Sequence, residues 1–395
     1  MVKPELEGAI SAALNHPPPP SAPAYAQAIA LRSALDGHFP PGHPFSQLLD
    51  QLRRDPDFVM FGGLMQVVRG RVCRVEHTDL AAWLIERARA ASPERAVSDL
   101  QRYLSCERLP CRLIVAVAGI KPDGPYALRP GITLVPWEQL PESSTKRSVT
   151  ERFLFWRPKS PLDSALAQEV EIRRIHLEYT EAVKHMGQPL PLTDLADLLL
   201  CLGLFGPTAP VIVSSWLEAP DWAPLILGGF SFGLPEGSSN VRPLSQTAAG
   251  DGSKLFETWL ALGEQRRAAL RVPMHRLDTA MRRRSVIDAA IDLGIALESI
   301  FLRDLSDDRG ELTFRLRVRG ARWLGATPDE RRQLFTLFED LYKTRSKAVH
   351  SGGVPSTTRG RPTTELLEEG YKVTARALIA LITVGDPDWD AVTLS

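Results

Sequence analysis

A chain of 395 residues, 44% hydrophobic and 24% charged, has enough apolar mass for two or three cores and too much to stay disordered. Its 47 Lys and Arg balance 47 Asp and Glu, so no global basic field marks a nucleic-acid binder. Cys73, Cys106, Cys111 and Cys201 follow no metal-ligand spacing and read as reduced structural thiols. The start of the chain has no apolar signal core, and runs such as Leu113–Ile120 are too short to cross a bilayer. A cytoplasmic protein with no membrane contact, no metal and no cofactor is expected.

A short first helix leads into a stiff Pro-rich stretch at residues 17–23. Residues 24–54 show helical apolar faces around Leu31, Leu35, Leu48 and Leu52. Glycines and β-branched residues between Phe58 and Val75 favour strands. Asp79 is expected to cap a helix through Trp83 and Ala88, and a second helix covers 93–105. Arg112–Ile120 is apolar and β-branched, residues 121–125 are turn chemistry, and Tyr126–Pro136 is again extended, which predicts a hairpin.

Residues 137–150 read as an irregular linker, and 165–185 fit either helix or strand. Leu192–Leu204 reads as helix and Val211–Val213 as a short strand. Residues 234–253, rich in Gly, Ser, Asn and Pro, form the best domain boundary. Two parts are expected: a mixed α/β region at 1–240, with a further split near 140–160, and a helical part at 254–385.

Beyond 253 the pattern is helical. One helix covers 254–270, Pro273 interrupts, and 275–304 continue as a long helix. Another covers 311–325. Thr327-Pro328-Asp329-Glu330 is a full start signal, with a Thr cap, Pro at the first helical position and Glu at the third. Leu334, Phe338, Leu341, Arg345 and Ala348 then run along one face until Gly352-Gly353 stop the helix. A last helix covers 363–384. The fold class is therefore α+β, mainly α, with a mixed α/β N-terminal region followed by an up-and-down helical bundle.

Near its C-terminal end the helix from Thr327 carries Arg345 and His350, a permanent cation and a group that titrates near neutrality. Such a pair suits work on a phosphodiester. Spacing alone is weak: Arg32 with His38 and Arg71 with His77 are similar pairs in turn or strand contexts. Residues 251–350 hold 19 Lys and Arg against 15 Asp and Glu, a local excess that favours a polyanion site there.

The run Leu341-Tyr342-Lys343-Thr344-Arg345-Ser346-Lys347-Ala348-Val349-His350-Ser351-Gly352, together with the helix Asp288–Phe301, resembles a HEPN domain of the ApeA-like kind. The resemblance covers roughly residues 255–385. It implies a metal-independent endoribonuclease acting in phage defence or toxin-like growth arrest. Arg345 and His350 would be catalytic, and dimerisation would bring two of each to one cleft. Ser346 stands where many such nucleases carry Asn, Asp or His. The expected partners are RNA, a second copy of the chain, and an antitoxin or phage trigger.

In that scheme His350 acts as base or acid, with an ordinary pKa of about 6.5, and Arg345 holds the phosphate. Glu298 and Asp292 either orient these groups or pin the bundle. Arg315, Arg319 and Arg322, at helical spacing, form with Lys347 either an RNA-contacting face or a solvated one. Arg345 paired to a bundle carboxylate and His350 complementing the helix dipole are the plain alternatives. Three rivals to the nuclease stay open. They are a non-cleaving RNA- or nucleotide-binding module, a partner-docking scaffold, and a toxin silenced by an antitoxin or by modification at Tyr342.

Overall fold

The computed structural model describes residues 3–16, 42–59, 61, 65–68, 71–74, 76–156, 162–173, 191–206, 208–224, 231–232, 241–304 and 311–394. The helices are α1 (Pro4–Leu14), α2 (Pro44–Arg54), α3 (His77–Ala90), α4 (Pro93–Ser105), α5 (Ser144–Trp156), α6 (Leu192–Gly203) and α7 (Gln246–Ala261). They continue as α8 (Glu264–Arg282), α9 (Val286–Phe301), α10 (Leu312–Leu324), α11 (Pro328–Ser351), α12 (Thr363–Thr383) and α13 (Trp389–Leu394). The strands are β1 (Met65–Val68), β2 (Arg71–Arg74), β3 (Arg108–Ala118), β4 (Ile120–Pro122), β5 (Tyr126–Arg129) and β6 (Ile132–Pro136). After them come β7 (Ser164–Arg173), β8 (Val211–Glu218), β9 (Ser231–Phe232), β10 (Arg242–Leu244), β11 (Thr357–Thr358) and β12 (Arg361–Pro362). The architecture is α+β and mainly α. The Pro-rich stretch, the N-terminal part of the expected 24–54 helix and residues 174–185 lie outside the described residues.

Six strands form one sheet in the order β5-β6-β7-β3-β8-β9, every pair antiparallel. Strand alternation on β3 divides two cores. Leu109, Cys111, Leu113, Val115 and Val117 face the large core, while Ile114, Ala116 and Ala118 face a small one. The small core also holds Trp137, Val149, Phe153 and Trp216, and α5 supplies its lid. Residues 137–150, expected as an irregular linker, thus carry a 3-10 turn at Trp137–Gln139 and the start of α5.

The expected hairpin is displaced. β3 pairs with β7 and β8, while the hairpin joins β5 to β6 around Gly131, whose φ of 76° suits glycine. Turn chemistry at 121–125 marks a change of partner instead, since β4 pairs in parallel with β10. Asp79 sits three residues into α3, not at its cap. Glu76 is the cap, and the Asp79 carboxylate accepts the Glu76 backbone N–H at 3.3 Å in a reciprocal capping box.

The helical part begins earlier than its composition suggests. Ser245 caps α7 by accepting the Ala248 N–H at 3.2 Å, so the second half of the expected 234–253 boundary is already helix. Gly252 lets α7 lie on α6, because an added Cβ there would come within 2.8 Å of Leu202 Cδ2. Ser253 Oγ donates to the Leu128 carbonyl of the sheet's edge strand. Pro273 is accommodated inside α8, whose Leu270, Met274 and Leu277 are all buried, so packing overrides local propensity. The break falls at residues 283–285 instead, where Ser285 caps α9.

One apolar core runs without interruption from Leu6 to Trp389, so sheet and bundle share an interior. Its junction is polar at one point. Asp197 of α6 is buried and accepts Trp259 Nε1 of α7 at 3.0 Å, Arg271 Nη2 of α8 at 2.8 Å and Arg271 Nε at 3.2 Å. Removing the carboxylate orphans a buried indole N–H and leaves the half-buried Arg271 guanidinium only Glu264, at 2.8 Å from Nη1. Asp197→Ala is therefore expected to lower unfolding free energy by about 3–5 kcal/mol in urea titration. A loss below about 1 kcal/mol would show that the junction does not depend on it.

Candidate functional site

The Thr327 start signal forms as its chemistry dictates: Thr327 Oγ1 accepts the Glu330 N–H at 3.2 Å, and α11 then runs 24 residues to Gly352, whose φ of 63° ends it. Leu334, Phe338, Leu341 and Ala348 are buried on one face. Three helices approach that face through glycines. An added Cβ would reach 2.4 Å from the Phe338 ring at Gly320 of α10, and 2.9 Å from Leu341 at Gly370 of α12. At Gly294 of α9 it would reach 2.4 Å from Arg345 Cγ.

Arg345 therefore belongs to the edge of the packed face, its side chain 23% exposed. Its stem crosses Gly294, and Nη2 reaches Glu298 Oε2 at 3.3 Å, one helical turn further along α9. The guanidinium carbon lies 5.9 Å from the centroid of the Tyr342 ring. Nε is shielded from water and has no acceptor among the described residues. One long contact thus engages a group with five donors.

Neighbouring arginines differ. Arg319 is 5% exposed and gives both terminal nitrogens to Asp304, at 2.7 and 2.9 Å, and Nη1 to the Phe301 carbonyl at 2.7 Å. That corrects its expected place on an RNA-contacting face, because a guanidinium 5% exposed and bonded three times inside the bundle presents no open edge to a phosphate. Arg322 Nη1 donates to the Thr393 carbonyl at 2.9 Å, which pins α13. Arg315 is half-buried on the same helix and makes contacts of its own.

The two carboxylates separate in role. Asp292 is buried and accepts Arg276 Nη1 and Arg283 Nε, each at 2.8 Å, so it ties α8 to α9 and does not meet Arg345. Glu298 does meet it. Burial pushes the Glu298 carboxyl above the usual glutamate range, and the nearby Arg345 charge only partly offsets this.

His350 is exposed in the last turn of α11, as is Lys347, and Ser346 is half-buried between them and Arg345. Five residues along a helix separate Arg345 and His350 by about 140° around the axis and about 7.5 Å along it. Within one chain the guanidinium faces α9 while the imidazole faces solvent. The sequence pattern found both residues but missed Gly294, although a lone glycine inside an apolar helix is the available signal.

Beside Gly294 and Tyr342 the described residues leave only a small cavity of about 10 Å³, lined by apolar side chains of α9, α10, α11 and α12, and two larger ones lie elsewhere. A trough of about 680 Å³ crosses the outer sheet face, lined by Arg112, Arg129, Thr133 and Glu169 among others. A second, of about 500 Å³, adjoins the start of α7 near Lys121 and Asp123. Among the described residues no group of three or more His, Cys, Asp or Glu is placed to hold a metal ion, and no helix is long and apolar enough to cross a membrane.

The sequence matches no family model, and neither a curated protein nor a solved structure matches the chain.

Glu298 yields a pH prediction. A carboxyl held above its ordinary pKa favours folding when protonated, so its contribution falls as pH rises through the folded-state value. Glu298→Gln should melt no lower than the parent chain at pH 7, and the two melting curves should merge near and below about pH 4. A glutamine variant that melts clearly lower at pH 7 would mean the Arg345 ion pair outweighs burial.

Proposed function

We propose that this chain is a metal-independent endoribonuclease of HEPN type, acting in phage defence or growth arrest. One observation carries it most. Arg345 is about a quarter exposed, makes one 3.3 Å hydrogen bond among the described residues and sits in the same terminal segment of α11 as His350. The resemblance of α9 and α11 to ApeA-like HEPN helices supports the same assignment.

The chemistry needs three acts. A base takes the 2′-hydroxyl proton, the 2′-oxygen attacks phosphorus, and the 5′-oxygen leaves with a proton from an acid. The products are a 2′,3′-cyclic phosphate and a 5′-hydroxyl end. Arg345 offers a planar fork to the non-bridging oxygens of the crowded phosphorane, where charge accumulates. His350 exchanges protons near neutral pH. DNA lacks the attacking hydroxyl and should survive.

A single chain supplies one imidazole for two proton transfers and turns it away from its own guanidinium. A pair of chains answers both difficulties. On α9, Ile287, Ile291 and Ile295 form a half-buried stripe on the face that carries Glu298, and α11 adds Tyr342 and the 47% exposed Val349. Two such faces in contact would set two α11 ends beside one crevice, with each His350 at its rim.

The Arg345–Glu298 pair favours a second reading, in which the same site holds RNA without cutting it. A counter-ion already seated on the cation weakens its action on a transition state. The tests separate the two. Purified full-length chain incubated with total RNA in excess EDTA should yield fragments with cyclic-phosphate ends. Arg345→Ala and His350→Ala should each slow cleavage by about 10²–10⁴-fold without loss of helical signal. Unchanged rates in both variants would reject the site, loss of cleavage in EDTA would reject the metal-free scheme, and RNA binding without products would select the non-cleaving alternative.

A further inference from the structure

The geometry points to Gly294 as a positioning residue: it is the notch that seats the Arg345 stem so that the guanidinium keeps unused donors for the phosphate oxygens of an RNA strand. This rests on the assignment of Arg345 to an RNA site and adds the element that holds it there.

Four observations converge on Gly294. It lies in the middle of α9, where alanine is the better helix former, so its missing Cβ needs another cause. All three atoms nearest to an added Cβ belong to Arg345: Cγ at 2.4 Å, Cβ at 3.1 Å and Cδ at 3.3 Å. The notches at Gly320 and Gly370 receive apolar groups of the core, whereas this one receives the stem of a cation. Finally, among the described residues Arg345 makes one hydrogen bond, at 3.3 Å to Glu298, while Arg319 makes three.

Shape, not chelation, thus fixes the direction of this guanidinium. A side chain pinned by a bidentate carboxylate must break strong charge-assisted bonds before it can meet a phosphate. A side chain seated by a notch keeps its aim and gives up one 3.3 Å contact. The site is preorganised by packing, with Glu298 held only at 3.3 Å. An added methyl at 294 would lift the stem, turn the fork away from Glu298 and leave it pointing elsewhere, although the cation itself remains.

A double-mutant cycle tests the seat and its purpose separately. The four proteins are the parent chain, Gly294→Ala, Arg345→Ala and the double variant, each full length. Thermal melting reports the seat. Gly294→Ala should lower the parent melting temperature by about 3 °C or more, and should change Arg345→Ala by no more than about 1 °C, since the Cγ it would strike is gone. A cost that persists undiminished in the Arg345→Ala background overturns the notch, because the Cβ that remains at 345 lies 3.1 Å away and only the lost Cγ, at 2.4 Å, is close enough to force a shift.

Binding of a 2′-O-methylated RNA oligomer, which offers phosphates but no attacking hydroxyl, reports the purpose. Gly294→Ala and Arg345→Ala should each weaken binding about tenfold, and the double variant should bind no worse than Arg345→Ala. Parent-like binding by Gly294→Ala, or no binding by the parent chain, overturns the positioning role. Absence of RNA cleavage by the parent would sink the nuclease alone, since neither the melting cycle nor the oligomer measurement requires a reaction. Should Gly294→Ala fail to fold, soluble recovery of the double variant would show that the clash with Arg345 is the cause, and failure of both would count against the notch.

Discussion

The close seating of α11 is the constraint from which the rest of the bundle follows. Three helices reach its packed face through glycines, at Gly320, Gly370 and Gly294, each too near a side chain of α11 to carry even a methyl group. Helices that approach so closely lose freedom to slide, because every ridge has one groove that accepts it. Phe338 and Leu341 fix the depth of α11, and the chain reaches Arg345 one turn later already oriented. The placement of a charged side chain is thereby set by the packing of uncharged ones.

That ordering explains which parts of the molecule were legible in the sequence. A helix start with complete local side-chain chemistry was readable: Thr327-Pro328 gives α11 a cap that forms as expected, whereas the Asp79 carboxylate proved to sit one turn inside its helix. Elements whose identity depends on distant partners were not. The stretch at 137–150 lacks a strong period, yet α5 forms there because Val149 and Phe153 meet Ile114 and Trp216 across the sheet face. Pro273 looks like a break until Leu270 and Leu277 are seen buried on either side of it. The turn at 121–125 is real, but only the parallel ladder with β10 decides where the chain goes next.

The candidate site divides in the same way. Residue types and spacing singled out Arg345, His350 and Glu298, and the structure brings the first and last together. Sequence could not tell that Asp292 is consumed by Arg276 and Arg283, or that Arg319 is buried on Asp304, because partners on other helices settle both. Among the described residues beyond α7, most arginines are paired with carboxylates. An arginine held by one long contact stands out only when its neighbours' bonds are known.

The way α7 clasps the edge strand also bears on how this polypeptide can be divided. Ser253 grips the Leu128 carbonyl, Gly252 lies on Leu202, and the Trp259 indole is anchored on α6. A fragment begun at the compositional boundary would carry α7 stripped of its bed, with a naked tryptophan and an Arg271 reduced to one of its two carboxylates. The helical third is therefore no detachable cassette. The sheet edge, α6, α7 and α8 are joined by side-chain bonds into the same body as the helices that hold Arg345.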